Sequence, residues 1–177
     1  VYPFPGESGH TTDYVEQPAK RIDHVLESVA EFAAPEYGVD VFKLESPMPA
    51  ASIPGEDDPE VQAAFDELGR LAGRPWVMLS AGATATQFRR VLEHAYRAGA
   101  SGYLAGRAIW WDAFQAFPDM DAMRAGLTAD GLSYMADLNA LTDAEATPWT
   151  AHPRFGAGGP QLADAGAGFR HAYGEPS

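Results

Sequence analysis

Short apolar segments alternate with longer helical segments along this chain, and the alternation limits its possible folds more than any other feature. Apolar side chains recur at helical spacing in three segments, at residues 18–33, 59–72 and 85–98. Compact apolar runs with the character of strands lie at residues 39–45, 76–80 and 101–106. Strands that alternate with helices of this length predict βαβ units and a parallel sheet.

Two α/β architectures fit this pattern, an open doubly wound sheet and a (β/α)₈ barrel. Strands that are buried on both faces read as continuous apolar runs, but here Lys43, Glu45, Ser80 and Gly106 interrupt or end the strands. Polar residues at the carboxyl ends of strands form the active face of a barrel. The pattern therefore favours the barrel.

The chain is short for a complete barrel, because it has 177 residues and a barrel takes about 250. With a further strand end at Val1–Phe4, it holds about four strands, too few to close. We therefore expect a half-barrel domain at residues 1–148, truncated from a longer enzyme. Residues 149–177, rich in glycine, alanine and proline, are expected to form a loose tail.

Composition excludes several classes of protein. A formal net charge of −13 with 12 basic residues argues against binding to nucleic acid, which requires clustered Lys and Arg. The sequence has no apolar run of about 18 residues, the length that a membrane helix needs, and no cysteine. We expect a cytoplasmic protein without a membrane segment.

Lys43 is the residue with the least ordinary explanation, because it interrupts the strand "VDVFKLESP" at residues 39–47. A lysine buried in such a strand must be paired or lose its proton. A neutral lysine amine forms a Schiff base with a ketone or aldehyde, and the protonated imine then acts as an electron sink. The alternative is an ion pair with Glu45, which lies two residues on and shares the same strand face. In the catalytic case Glu45 needs another partner, for which Arg107 is a candidate.

Two glycine turns follow the next strands, "LSAG" at residues 79–82 and "AGRA" at residues 105–108. Backbone N–H groups at such turns and at helix starts bind anions. The loops after the last two strands of a barrel often form a phosphate site, and Arg107 adds a positive charge. Each turn alone is ordinary, but the pair after a strand lysine predicts an anion site.

A metal is the competing way to stabilise an enolate, but the histidines are poorly placed for it. None of the five follows a predicted strand, and His24 and His94 lie within predicted helices. We therefore expect neither a catalytic metal nor another cofactor.

Three segments together resemble the class I tagatose-1,6-bisphosphate aldolase family, which includes sulfofructose-phosphate aldolases. They are "YGVDVFKLESP" (37–47), "PWVMLSAGATATQF" (75–88) and "GASGYLAGRAIW" (99–110). Their order and spacing also match, and the resemblance extends to about residue 142. It implies a (β/α)₈ barrel of which this chain supplies about strands 5–8.

The resemblance also implies roles for individual residues. Lys43 becomes the Schiff-base lysine of the sixth strand, and Glu45 is a second catalytic candidate. The phosphate or sulfonate is implied to bind at the two glycine turns, at Ser80, Ala81, Gly82, Gly106 and Arg107. The family's acid/base glutamate is expected before Val1, since Glu7 lies in a turn and is a poor replacement. The fragment alone is then expected to be inactive.

The implied reaction is retro-aldol cleavage of a ketose bisphosphate, or of a sulfo-ketose phosphate, to dihydroxyacetone phosphate and a three-carbon aldehyde. The expected partner is this small sugar phosphate, and the full-length enzyme is expected to be a homo-oligomer. Two other hypotheses stay open. One is a barrel isomerase or synthase without a Schiff base, and the other is a non-catalytic half-barrel that pairs with another chain.

Overall fold

The chain alternates between helices and strands in the order that its sequence predicts. A computed structural model describes residues 18–55 and 57–161, and within them lie six α-helices and three strands. In chain order these are α1 (Pro18–Phe32), β1 (Phe42–Leu44), α2 (Pro59–Ala72), β2 (Trp76–Leu79), α3 (Ala85–Arg97), β3 (Gly102–Leu104), α4 (Arg107–Phe114), α5 (Met120–Gly126) and α6 (Leu132–Glu145). A π-helical stretch, Leu127–Gly131, joins α5 to α6.

The three strands form one parallel sheet in the order β1–β2–β3. Phe42 of β1 is in register with Trp76 of β2, and Met78 of β2 is in register with Tyr103 of β3. The predicted parallel sheet is therefore confirmed. The strands have only three or four residues each, fewer than the apolar segments from which they were predicted.

The helices begin and end at the residues that local chemistry favours. Asp58 caps α2, because its carboxylate accepts hydrogen bonds from the N–H groups of Glu60 (2.9 Å) and Val61 (3.3 Å). Thr84 and Gln87 form a reciprocal capping box at the start of α3, which supplies partners for backbone donors that the helix itself leaves open. These caps fix the points at which the chain leaves the sheet.

The hydrophobic core lies on one face of the sheet, between the strands and the helices. Phe42 and Leu44 of β1 and Trp76 and Met78 of β2 are all buried there. They pack with side chains from the neighbouring helices, which include Phe65, Leu68, Phe88, Leu92 and Leu138. Since successive side chains of a strand point to opposite faces, the residues between them point away from this core.

The other face of the sheet is open in the part of the chain that the structure describes. Val41 is 55% exposed and Leu104 is 49% exposed, although both are apolar. Val77 and Leu79 of the central strand are half-buried. An apolar strand face left open in this way is a surface that another segment or chain usually covers.

Helices α2 and α3 approach each other closely at Gly69. A Cβ atom at this position would lie 2.4 Å from the backbone carbonyl oxygen of Ala98. The contact therefore depends on the absence of a side chain at residue 69.

Tyrosine hydroxyls connect α6 to the elements around it. The Tyr96 hydroxyl lies 2.7 Å from Oγ1 of Thr142, and Tyr134 donates to the carbonyl oxygen of Ala85 at 2.8 Å. Burial raises the pKa of Tyr96 and of Tyr134 to about 12. Both hydroxyls therefore keep their protons, and these contacts, over the whole neutral range.

Several predictions concern residues outside the described part. The strand end at Val1–Phe4, the turn that contains Glu7 and residues 162–177 of the expected tail all lie there. The first residues of that tail form short 3₁₀ turns, Trp149–Ala151 and Pro153–Gly158. Across the described ranges, no helix combines the length and the apolar character needed to cross a membrane.

Candidate active site

The residues predicted to carry chemistry lie together at the carboxyl ends of the three strands. Lys43 is the middle residue of β1, and Glu45 follows that strand directly. Ser80 follows β2, and Gly106 and Arg107 come just after β3. Because the strands are parallel, their carboxyl ends lie side by side, and these five residues are brought together.

Two adjoining depressions open at this edge. We call the first the lysine cleft; it has a volume of about 580 Å³ and is lined by Lys43, Glu45, Ala81 and Arg107, with apolar side chains from α1. The second, the turn cleft, has a volume of about 480 Å³. Its lining is Lys43, Leu79, Ser80, Ala81, Gly82, Leu104, Ala105, Gly106, Arg107 and Trp110. Lys43 and Arg107 line both clefts, so one ligand could reach both cations.

The prediction that Lys43 is buried is wrong for the described part of the chain, in which its side chain is exposed. Its neighbours Phe42 and Leu44 are buried, and they suggested a strand with both faces covered. In the structure these neighbours face the helices, whereas Lys43 lies on the open face. The amine is therefore accessible to a ligand in either cleft.

The ion-pair explanation of Lys43 receives no support from the structure. Of the ion pairs within residues 18–55 and 57–161, none joins Lys43 to Glu45. The two residues share one face of the strand and line the same cleft. Both side chains are thus close to any ligand that enters this cleft.

The turn between β2 and α3 has an unusual backbone conformation. Both of its central residues have a positive φ, 47° at Ala81 and 82° at Gly82. The N–H of Ala83 donates to the carbonyl oxygen of Ser80 at 2.8 Å, and the N–H of Ser80 donates to that of Leu104 at 3.1 Å. Positive φ at both central positions is the pattern of a type I′ turn. A non-glycine residue held at positive φ is strained, and such strain clusters at functional sites.

The guanidinium of Arg107 lies directly against this turn. A Cβ atom at Gly82 would be 3.1 Å from Nη2 of Arg107 and 3.4 Å from its Cζ. The absence of a side chain at residue 82 therefore lets the cation approach the backbone of the turn. This contact joins the two glycine turns that the sequence predicts into one site.

The two helices that leave these turns differ at their first residues. Helix α3 is capped by its own Thr84 and Gln87 side chains. Helix α4 begins after Gly106, which has no side chain and makes no side-chain cap. The N–H of Ile109 donates to the carbonyl oxygen of Gly106 at 2.8 Å. Since the first N–H groups of a helix have no partners within it, those of Arg107 and Ala108 are the ones that an anion could use.

Trp110 and Leu104 also belong to the turn cleft but were not among the predicted site residues. Trp110 lies four residues after Gly106, and a long side chain at that spacing leans back toward the start of its helix. This spacing is the sequence signal that could have found it. Leu104 gives no such signal, because an apolar residue at the end of a strand is ordinary.

The helical layer holds His94, which has no part in this edge. It is buried between α2 and α3, its Nδ1 lies 2.9 Å from Oε1 of Gln62, and its ring stacks on Phe65. Burial lowers the pKa of His94, and the nearby cation of Arg97 lowers it further. Across the described residues, no group of three His, Cys, Asp or Glu side chains is arranged to hold a metal ion.

Comparison with known proteins gives consistent matches. The model of a family described as "DeoC/LacD family aldolase" matches residues 12–112, a range that includes every predicted site residue. A tagatose 1,6-diphosphate aldolase of Listeria monocytogenes is 35% identical over 144 residues, which covers 75% of this chain and 41% of that protein.

Two further relatives agree with this match. A tagatose 1,6-diphosphate aldolase 2 of Streptococcus mutans is 32% identical over 141 residues, 73% of this chain and 43% of that protein. A tagatose 1,6-diphosphate aldolase of Staphylococcus aureus is 35% identical over 136 residues, 71% of this chain and 42% of that protein. This chain thus spans about two fifths of the length of the curated relatives that it matches.

Proposed function

This chain belongs to the DeoC/LacD family of aldolases, and on that premise we propose that it supplies the lysine-bearing part of a class I aldolase. The substrate is a ketose 1,6-bisphosphate such as tagatose 1,6-bisphosphate, or a sulfo-ketose phosphate. The products are dihydroxyacetone phosphate and a three-carbon aldehyde. The observation that carries the proposal is the position of Lys43, exposed at the carboxyl edge of the sheet in clefts that it shares with Arg107.

In the proposed reaction, the amine of Lys43 attacks the ketone carbon of the substrate, and water leaves to form a protonated imine. A base removes the proton from the hydroxyl group on the carbon β to this imine. The bond between the α and β carbons then breaks. The bonding electrons move into the imine and form an enamine, while the aldehyde leaves. Protonation of the enamine and hydrolysis then release dihydroxyacetone phosphate and restore the lysine.

A carboxylate is the natural base for this cycle, and Glu45 is one candidate because it lines the lysine cleft. We propose that the main acid/base glutamate of the cycle comes from a part of the enzyme other than these described residues. Glu45 then has a secondary role, to exchange protons or to balance the charge of Lys43 and Arg107.

We assign the phosphate or sulfonate group of the substrate to the turn cleft. Ser80, Ala81 and Gly82 form one wall, and Gly106 and Arg107 form the other. The positive-φ turn exposes backbone atoms, Arg107 supplies a fixed positive charge, and the uncapped start of α4 adds N–H donors. A tetrahedral oxyanion has several acceptor oxygens and matches this set of donors.

We propose that the described elements are about half of a (β/α)₈ barrel. The support is the open apolar face of the three-stranded sheet, together with the longer relatives of which this chain spans about two fifths. Further strands on the open face would enclose Lys43 and exclude water from the reacting carbon. We therefore propose that the 177-residue chain alone does not complete the reaction. We also propose that the full-length enzyme is a homo-oligomer.

Reductive trapping tests the Schiff base. The complete gene product and the 177-residue chain are each incubated with dihydroxyacetone phosphate and then with borohydride, and the peptide masses are measured. We expect a reduced adduct on Lys43 of the complete product. The sequence has only one other lysine, Lys20, and it serves as the internal control for non-specific labelling.

An equal adduct on both lysines, or none on a folded protein, would overturn the class I mechanism. The site would then fit a barrel isomerase or synthase that binds a sugar phosphate without a Schiff base. Cleavage of tagatose 1,6-bisphosphate and of a sulfo-ketose phosphate, compared under the same conditions, identifies the substrate.

A further inference from the structure

Trp110 lines the turn cleft, but the proposed reaction gives it no role. It is the fourth residue of α4 and is 37% exposed. Its side chain lines the turn cleft together with Lys43 and Arg107. An aromatic residue in this position faces whatever ligand the two cations attract.

The indole nitrogen of Trp110 lies at the start of α4. A Cβ atom at Gly106 would be 3.4 Å from this nitrogen, so the indole folds back over the glycine that begins the helix. The indole N–H can only donate a hydrogen bond. Within the described ranges no protein atom accepts from it, so this donor is available to a ligand.

The charges around the turn cleft determine which ligands it can hold. Lys43 and Arg107 supply two cations, and none of the residues that line it is acidic. If Lys43 is covalently engaged, Arg107 is the cation that stays for the anionic end of the ligand. The planar guanidinium of Arg107 can donate hydrogen bonds to two oxygens of a phosphate or sulfonate. At least one further oxygen of the anion then needs another hydrogen-bond donor.

We propose that the indole N–H of Trp110 donates a hydrogen bond to an oxygen of this bound phosphate or sulfonate. This inference rests on the proposed function, because it concerns the same ligand. It makes Trp110 a specificity-determining residue that discriminates charged ketoses from their neutral parents. The ring itself would cover one side of the anion and reduce its contact with water, which strengthens the pairing with Arg107.

Trp111 offers a matched control on the same helix. It is 47% exposed, and its ring centre is 5.9 Å from that of Trp110. It lines a neighbouring depression, which shares Gly82 and Arg107 with the site, but it does not line the turn cleft that Lys43 lines. Replacing either tryptophan with phenylalanine keeps an aromatic ring and removes the N–H donor.

The test compares Trp110→Phe and Trp111→Phe in the complete gene product with a charged ligand and its neutral parent. Borohydride trapping on Lys43 is measured over a range of concentrations of dihydroxyacetone phosphate and of dihydroxyacetone. A hydrogen bond to a charged group predicts that Trp110→Phe raises the half-saturating concentration of the phosphate about tenfold. The same variant should leave that of dihydroxyacetone unchanged, and Trp111→Phe should change neither.

Two results would overturn the assignment. If Trp110→Phe weakens both ligands equally, the ring only packs at the site. If it matches Trp111→Phe for both ligands, the indole N–H has no ligand role.

A second measurement separates this inference from the Schiff base on which the proposed function depends. Calorimetric titration with inorganic phosphate and with methanesulfonate detects the anion contact even if Lys43 forms no adduct. Weaker binding of either anion to Trp110→Phe than to Trp111→Phe supports the assignment, and the anion affected shows whether phosphate or sulfonate is the ligand. Equal binding of both anions to the two variants overturns it, whatever happens at Lys43.

Discussion

The two faces of the three-stranded sheet differ in burial and in charge, although alternate residues of the same strands form both faces. On the helix face, Phe42 and Trp76 are 8% and 1% exposed and pack into the core. On the other face, Lys43 is exposed, and Val41 and Leu104 are about half exposed. Because alternate residues of a strand belong to different faces, stability and chemistry can be assigned to neighbouring positions of one strand.

Because Lys43 is exposed and its neighbours Phe42 and Leu44 are buried, we expect that this catalytic candidate can be replaced without disturbing the fold. In many enzymes the reactive group is buried in the core that holds the protein together, and its removal has two effects at once. In this sheet the two effects are separated by one residue. Substitutions on each face of the sheet can test this separation.

Replacing Lys43 with methionine should abolish the borohydride-trapped adduct completely, because no other strand lysine can form the imine. The free energy of unfolding should change by less than about 0.5 kcal/mol, as for other exposed sites. Mass spectrometry and urea denaturation measure the two quantities on one preparation. A loss of several kcal/mol would show that the open face also holds the fold together.

Replacing Phe42 with alanine should destabilise the chain by about 3–5 kcal/mol, the usual cost of removing a buried aromatic side chain. The control is Val41→Ala, one residue earlier on the open face, for which a change below about 1 kcal/mol is expected. Urea denaturation of both variants measures the difference. Equal losses would contradict the separation of the two faces.

Replacing Gly82 with alanine tests the contact between the turn and Arg107. Gly82 has a φ of 82° and Gly99 has a φ of 90°, but only a side chain at Gly82 would meet Arg107, since nothing lies within 4 Å of one at Gly99. Both variants should lose about 1–2 kcal/mol of stability from left-handed strain. Only Gly82→Ala should also bind dihydroxyacetone phosphate several-fold more weakly. Equal affinity in the two variants would remove Arg107 from the anion site.

The smallest effect concerns His94 and the dependence of stability on pH. Burial lowers the pKa of His94 in the folded state, so below about pH 6.5, the ordinary value, the unfolded chain binds the proton more readily. The stability that the neutral ring contributes is complete above that pH and is lost as the pH falls through the folded value. The melting temperature should therefore decrease less steeply between pH 7 and pH 5 in His94→Gln than in the parent. Identical slopes would contradict this account, while trapping at Lys43 should keep the same pH profile in both.

The sequence predicts the alternation of elements well, because amphipathic helices and short apolar strands have different periods. The three helices that were predicted with bounds lie within about a residue of their observed ends, as α2 shows (59–72 predicted, Pro59–Ala72 observed), whereas α5 and α6 were not predicted. The parallel sheet is also confirmed. The family resemblance is confirmed by the match to residues 12–112.

The burial of Lys43 could not be predicted, because it depends on what covers the second face of the sheet. Apolar neighbours indicate a buried strand only if both faces are covered, and strand propensity is the same in either case. The roles of Lys43, Glu45, Ser80, Ala81, Gly82, Gly106 and Arg107 stay predictions, although the structure brings these residues to one edge. The approach of Arg107 to Gly82 is a contact between residues 25 positions apart in the sequence, and no local pattern encodes such a contact.

The close approach of α2 and α3 at Gly69 has a consequence for the tolerance of this chain to mutation. Even alanine at residue 69 would press on a backbone carbonyl, and backbone of an adjoining helix moves far less readily than a side chain. In a saturation mutagenesis library selected for folded protein, position 69 should be depleted of every substitution. Glycines that face open space, such as Gly38, should still admit asparagine, which tolerates the left-handed conformation. At this position of the helical layer, even the smallest added side chain is therefore expected to force α2 and α3 apart.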